Sequence, residues 1–191
     1  MAYSNNLEWG SLAPQWVSVK SDTVGGTLDL INYGSKIQST DVNNGAEAGG
    51  FIKGSASGQF KIQFKLGKVW GWSNLYAANI KAVAQNSLSQ NNYLNGNYNA
   101  VTFYNNSSNN KFKVDKSVLG VVTSVTDQTG GLNNIMITFW RDSNNVVKYK
   151  AGASAEVTIG TFADHWVFYT SPQSPCSCEL LAAYNENVTL S

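Results

Sequence analysis

The sequence predicts an all-β protein built as an antiparallel two-sheet sandwich or a barrel. Three observations carry this. Residues 59–66, QFKIQFKL, alternate four apolar residues strictly with Lys and Gln, as a strand with one wet face requires. Residues 134–170 return on themselves at short intervals as four extended runs joined by turn residues. No stretch demands a helix, and roughly ten strands at this spacing give two packed sheets or a closed one.

Along the chain, residues 1–14 carry Tyr3, Leu7, Trp9 and Leu12 among polar neighbours and end at Pro14. They read as an N-terminal arm whose anchors Tyr3, Leu7 and Trp9 contact another subunit or the chain's own domain. Residues 15–191 form the β domain. Residues 16–19 (WVSV) and 26–31 (GTLDLI) are its first strands, with Gly25-Gly26 as punctuation. The polar segment 39–50 reads as a long loop, and Phe51-Ile52 leads into the alternating strand.

The aromatic-rich residues 69–76 read as a turn region. Residues 77–85 are assigned to a strand on the alternation of Ile80, Ala82 and Ala84, although Tyr76, Ile80 and Val83 would also line a helix. An Asn- and Gln-rich connection, 86–97, precedes a strand at 98–104, a loop at 105–110 and a partner strand at 111–115. Residues 117–126 read as one further strand, and residues 127–131 as a turn.

In the stretch that follows, Ile135, Ile137 and Phe139 face one way, while Met136, Thr138 and Trp140 face the other. Residues 141–145, RDSNN, form a polar turn, and VVKYK resumes the ladder. VTI and WVFYT follow as strands, and residues 178–190 close the chain as a strand or two.

The composition limits function. Charged residues are 13% of the 191-residue chain, half the average of about 25%, so Asn, Ser, Gln, Thr and Gly must coat the surface. With a formal charge of +1 and dispersed lysines, phosphate-neutralising nucleic-acid binding is not expected. Neither a secretory leader nor an apolar run of about 18 residues is visible, so no membrane insertion is expected. Cys176 and Cys178 lie too close in sequence for an unstrained bridge. With one histidine in the chain they are also too few for tetrahedral zinc, and they read as small thiols at a strand start.

Catalytic and metal signatures are weak. His165, beside Asp164, reads as structural because neighbours on a strand face apart. No closely spaced carboxylate array of the glycosidase kind occurs. The segment Asp142-Ser143-Asn144-Asn145 has calcium-loop oxygens without further nearby acids, and reads as a plain turn. No phosphate-binding glycine pattern is present. Sequons at Asn105, Asn106 and Asn187 are expected to stay unmodified. No enzyme activity, metal or cofactor is expected.

Binding remains. Trp70, Trp72, Asn74 and Tyr76, with Tyr93 nearby, combine aromatic platforms with amide and hydroxyl partners, the surface a sugar needs. Core or subunit packing of Trp70 and Trp72 is the competing role.

The hairpin at 134–152, the VFYTS segment at 167–171, AGGFI with GQFKIQF, and VTFY with KFKV together resemble concanavalin A-like and SPRY-like jelly-roll modules of phage and bacterial surface proteins. The likeness spans residues 15–190 and departs at 151–154 and in the 70–97 insert. It implies an antiparallel two-sheet β-sandwich. It also implies a virion structural or appendage role (tail fibre, head fibre or decoration) with recognition of a host-surface glycan or receptor. The partners it implies are such a glycan or receptor, other virion proteins and further copies of the chain, at a virion surface or extracellular appendage. A purely structural subunit assembled through the arm, and a jelly-roll glycoside hydrolase, are the alternatives.

Overall fold

The computed structural model describes residues 17–19, 28–31, 36–39, 49–51, 55–67, 72–78, 99–106, 111–130, 133–163, 166–170 and 177–189. Among them are fourteen strands and no helix. In chain order they are β1 (Val17–Val19), β2 (Leu28–Ile31), β3 (Lys36–Ser39), β4 (Gly49–Phe51), β5 (Ser55–Gly67), β6 (Trp72–Ala78) and β7 (Ala100–Asn106). Then come β8 (Lys111–Val118), β9 (Val121–Thr129), β10 (Met136–Arg141), β11 (Val146–Ala151), β12 (Val157–Thr161), β13 (Val167–Thr170) and β14 (Ser177–Thr189).

They form two seven-stranded sheets, in the orders β1-β4-β13-β6-β7-β8-β9 and β12-β11-β10-β5-β14-β3-β2. Every pairing recorded between strands is antiparallel. The sandwich expected from the sequence is the architecture observed.

Alternation decides which residues meet between the sheets. Phe60, Ile62, Phe64 and Leu66 of β5 are buried, as are Ile137 and Phe139 of β10 and Val147 and Tyr149 of β11. The facing sheet contributes Leu75, Val101, Phe103, Phe112, Val114 and Phe168. Phe103 ties the two layers together: its ring lies 5.1 Å from Phe139, 5.4 Å from Phe64 and 5.5 Å from Tyr149, in edge-to-face arrangements. Two polar contacts also cross the core. Asn105 Nδ2 donates to the Leu66 carbonyl at 3.2 Å, and the hydroxyls of Thr126 and Tyr149 hydrogen-bond to each other.

Several elements differ from the sequence reading. Lys36–Ser39 is a strand paired with β14 and β2, although its short polar sequence carried no period. Trp72–Tyr76 is not a turn but the body of β6, held between β13 and β7. The single strand read over 117–126 is the end of β8, a tight turn at Leu119-Gly120, and the start of β9, which continues through 127–129. Arg141 belongs to β10 and is 2% exposed; the turn begins after it. Ile135 precedes β10 and is exposed, apart from the buried Ile137 and Phe139 whose face it was expected to share. The arm at 1–14, the 40–48 part of the expected loop and the 70–71 and 79–97 parts of the insert lie outside the described residues.

Candidate functional site

Strand β10 occupies the middle of its sheet, between β5 and β11. Its inward residues are spent on the core, so its other face carries Met136, Thr138 and Trp140 outward. Register fixes their neighbours. Trp140 pairs with Lys61 on one side and Lys148 on the other; Thr138 pairs with Gln63 and Lys150; Met136 pairs with Lys65. Lys61 of β5 and Lys150 of β11 lie to either side of β10, and a groove of about 540 Å³ lined by both runs along it.

Trp140, Thr138 and Met136 form its floor, with Gln59, Lys61, Lys150, Gly152 and Glu156 at its sides. From Met136 to Trp140 the floor extends about 13 Å, at ~3.3 Å per residue. Trp140 is half-buried, so part of its indole meets solvent. Gly152 keeps one end open: it sits at φ 55°, a left-handed conformation, and a Cβ there would stand 3.0 Å from Ile135 Cγ2.

The charges around the groove come in both signs. Among the lining residues, the half-buried Lys61 and Lys150 and the buried Arg141 stand against the carboxylates of Asp142 and Glu156. Asp142 is committed elsewhere: Oδ1 accepts from the backbone N–H of Asn144 at 2.9 Å and of Val146 at 3.0 Å, and Oδ2 lies 3.5 Å from Lys148 Nζ. The Val146 N–H above all, with the Asn144 N–H and Lys148, holds its carboxyl below the ordinary carboxylate range, against an opposing desolvation effect second only to Val146.

Arg141 lies beneath one end of the floor. Its Nε donates to the Gly58 carbonyl at 2.7 Å and an Nη donates to the Phe162 carbonyl at 3.0 Å, while the guanidinium stacks 5.4 Å from the Phe60 ring centroid. Gln63 Nε2 reaches Thr138 Oγ1 at 3.3 Å.

Of the binding residues expected from sequence, Trp72, Asn74 and Tyr76 occupy alternate positions of β6, in register with Asn106, Tyr104 and Thr102. Trp70 and Tyr93 lie outside the described residues, as do Tyr3, Leu7 and Trp9 of the arm, the Asp164-His165 pair and Cys176. The groove brings together a different set, headed by Trp140. Its signal was already in the sequence, where an indole sits on the wet side of a strand whose alternate residues are Ile137 and Phe139.

Asp142 does form the plain turn expected of it, and no group of three or more metal-ligating side chains occurs among the described residues. The first sequon has a structural use: Asn105 is fully buried, and the nitrogen a glycan would need is donated to Leu66.

No protein-family model matches the chain, and no curated protein matches it in sequence. Solved structures match in fold. The TRIM65 PSpry domain gives a TM-score of 0.55 at 6% identity, over 81% of this chain and 83% of that one. The exoplasmic/lumenal domain of VIP36, in a Ca2+/Man3GlcNAc-bound form, gives 0.54 at 9% identity, over 91% and 86%. Bacillus licheniformis beta-glucanase gives 0.53 at 10% identity, over 91% and 92%. A PSpry domain, a sugar-bound domain and a glucanase thus share one scaffold, so the fold leaves function to be argued from the site. The chain has the two-sheet jelly-roll fold that these structures share.

Proposed function

We propose that this chain is a non-enzymatic glycan-recognition module that binds an uncharged saccharide along the β10 groove. The observation that carries the reading is Trp140, half-buried in the floor of an elongated groove and flanked in register by Lys61 and Lys148, with Thr138, Gln63 and Lys150 one row away. A pyranose presents an apolar C–H face to an indole and hydroxyls to ammonium, amide and hydroxyl groups, and this surface offers all of them. The lining mixes three cations, of which Arg141 is buried and held by two backbone carbonyls, with two carboxylates, and this near-balance favours a neutral ligand over a polyanion. VIP36, a neighbour in fold, holds Man3GlcNAc in its solved form.

Hydrolysis is the less favoured reading. A general acid needs a carboxyl with a raised pKa, whereas that of Asp142 is lowered by two backbone N–H groups and Lys148. Display on a virion surface or extracellular appendage is part of the proposal. It is supported by the low charge and amide-rich coat, which suit a protein assembled inside a cell and released by lysis.

A glycan array followed by calorimetry on the best ligand tests the proposal. Trp140→Ala is expected to weaken binding at least tenfold, about 1.4 kcal/mol, with the circular dichroism spectrum unchanged. Trp72→Ala, made in parallel, tests the second aromatic set on β6. Loss through Trp72 alone moves the site to that strand, while no binding to any glycan, or release of reducing ends from a polysaccharide, overturns the reading.

A further inference from the structure

Four of the seven exposed large hydrophobic residues among the described residues sit on one hairpin tip: Val118, Leu119, Val121 and Val122, at 42%, 66%, 68% and 46% exposure. The tip joins β8 to β9, and Val118 pairs with Val121 across it. Leu119 (φ 49°) and Gly120 (φ 86°) are both left-handed, the backbone of a type I′ turn. Asn, Asp or Gly takes the first central position without strain; a leucine there is strained and has its side chain in water. The chain thus departs from the local rule twice at one residue, and nothing within the described fold compensates for it.

The tip also opens an unpaired edge. Strand β9 is the outermost of its sheet, so one side of its backbone has no partner strand among the described residues. Register with β8 shifts between Val114 and Asp115, leaving Val125 as the extra residue, packed against the core. The regular, outward part of the edge is therefore the uncharged run Val121-Val122-Thr123-Ser124. Lysine, proline or inward charge normally blocks such an edge, and this run has none.

The nearest charges are already engaged. Lys116 Nζ donates to the Ile159 carbonyl at 3.1 Å, and Asp127 lies 3.0 Å from Lys111. A lipid surface would call for a collar of free cations around the apolar tip, which the engagement of Lys116 disfavours.

We infer that this edge pairs with the same edge of a second copy of the chain, antiparallel about a two-fold axis at Thr123. Such pairing places Thr123 opposite the partner's Thr123 and Val122 opposite the partner's Ser124. No like charges meet, and each apolar tip lies alongside β9 of the other copy. The two sheets become one continuous sheet, and the strained turn is explained as a wedge whose leucine is buried only in the dimer. The inference does not rest on the groove, which lies on the other sheet.

Sedimentation velocity on the full chain over a wide concentration range is the test, alongside amide hydrogen exchange across 121–124. Expected are a concentration-dependent dimer, exchange at Val121-Ser124 that slows as the dimer forms, and at least tenfold weaker association for Val121→Lys. Leu119→Asn separates the two roles of the turn: it should weaken the dimer and, at dilution, raise the melting temperature of the monomer. A chain that stays monomeric, a dimer indifferent to Val121→Lys, or one lost only on deleting residues 1–14 overturns the inference.

Discussion

Lys148 Nζ stands 3.5 Å from Asp142 Oδ2, so the turn between β10 and β11 is tied to β11 beside Trp140. The same carboxylate accepts two backbone N–H groups through its other oxygen. It thereby shapes the turn that sets the register of Trp140 against Lys148, and it cancels a lysine charge beside the indole. The turn residue and the binding floor are linked through one side chain.

The pH response of this hairpin follows from that link. Folding lowers the Asp142 pKa below its ordinary 3.8, chiefly through the Val146 N–H, with the Asn144 N–H and Lys148 behind it. A depressed carboxyl stabilises the fold above the unfolded pKa, and the contribution is lost as pH falls through the folded value. Asp142→Ala is expected to lower the melting temperature by a constant small amount above about pH 5, with the gap closing below about pH 4. Thermal melts of both proteins from pH 3 to 8 check it, and a gap that persists at the acid end would show that packing, not charge, is responsible.

Arg141 is a buried cation whose guanidinium fork holds two carbonyls on different segments, Gly58 and Phe162. Arg141→Met keeps the volume but strands both carbonyls, at an expected cost of about 2–4 kcal/mol. Arg141→Lys should recover little, since one ammonium cannot reproduce the planar fork. Urea denaturation reads this as a lower midpoint at unchanged slope. An Arg141→Met midpoint equal to wild type would mean that water replaces the fork.

What could be read from the chain beforehand was periodicity. QFKIQFKL and the MITFW–VVKYK hairpin place their residues on the observed faces because a half-buried strand must alternate. Lys36–Ser39 escaped because a short run between long-range partners has no period of its own. The break at Leu119-Gly120 was missed because a leucine in a type I′ turn violates the usual turn chemistry. Arg141 was read as turn because arginine on a core face needs acceptors that only the folded chain supplies. Trp140 was visible as an outward indole, but the lysines, glutamine and carboxylates around it are assembled by register across β5, β10, β11 and the approach to β12, a relationship no local window contains.

Cys178 is fully buried, and burial pushes its thiol up to about 12, with Thr170 opposing and Glu179 adding to the shift. Its thiolate fraction at pH 8 is therefore ~10⁻⁴, and reagent access is blocked as well. In a Cys176→Ser background, a thiol reagent at pH 8 should label Cys178 only as fast as the fold opens, with the rate rising steeply in denaturant. Immediate labelling of the native protein would place the β14 start outside the cooperative core.

Thr126 of the edge strand β9 and Tyr149 of β11 share a hydrogen bond between their hydroxyls, a polar stitch between the two sheets. Either side chain alone, as Thr126→Val or Tyr149→Phe, should cost about 0.5–1.5 kcal/mol, and the double variant about the same as one single. Burial raises the Tyr149 pKa above its ordinary 10.0, with Thr126 partly offsetting it. A raised pKa means the contribution is intact below the unfolded value and is lost as pH rises through the folded one. Wild-type stability should therefore fall above about pH 10 more steeply than that of Tyr149→Phe. Parallel alkaline slopes with strictly additive single costs would show that the two hydroxyls are neighbours without a working bond, leaving Phe103 and its aromatic contacts to join the sheets.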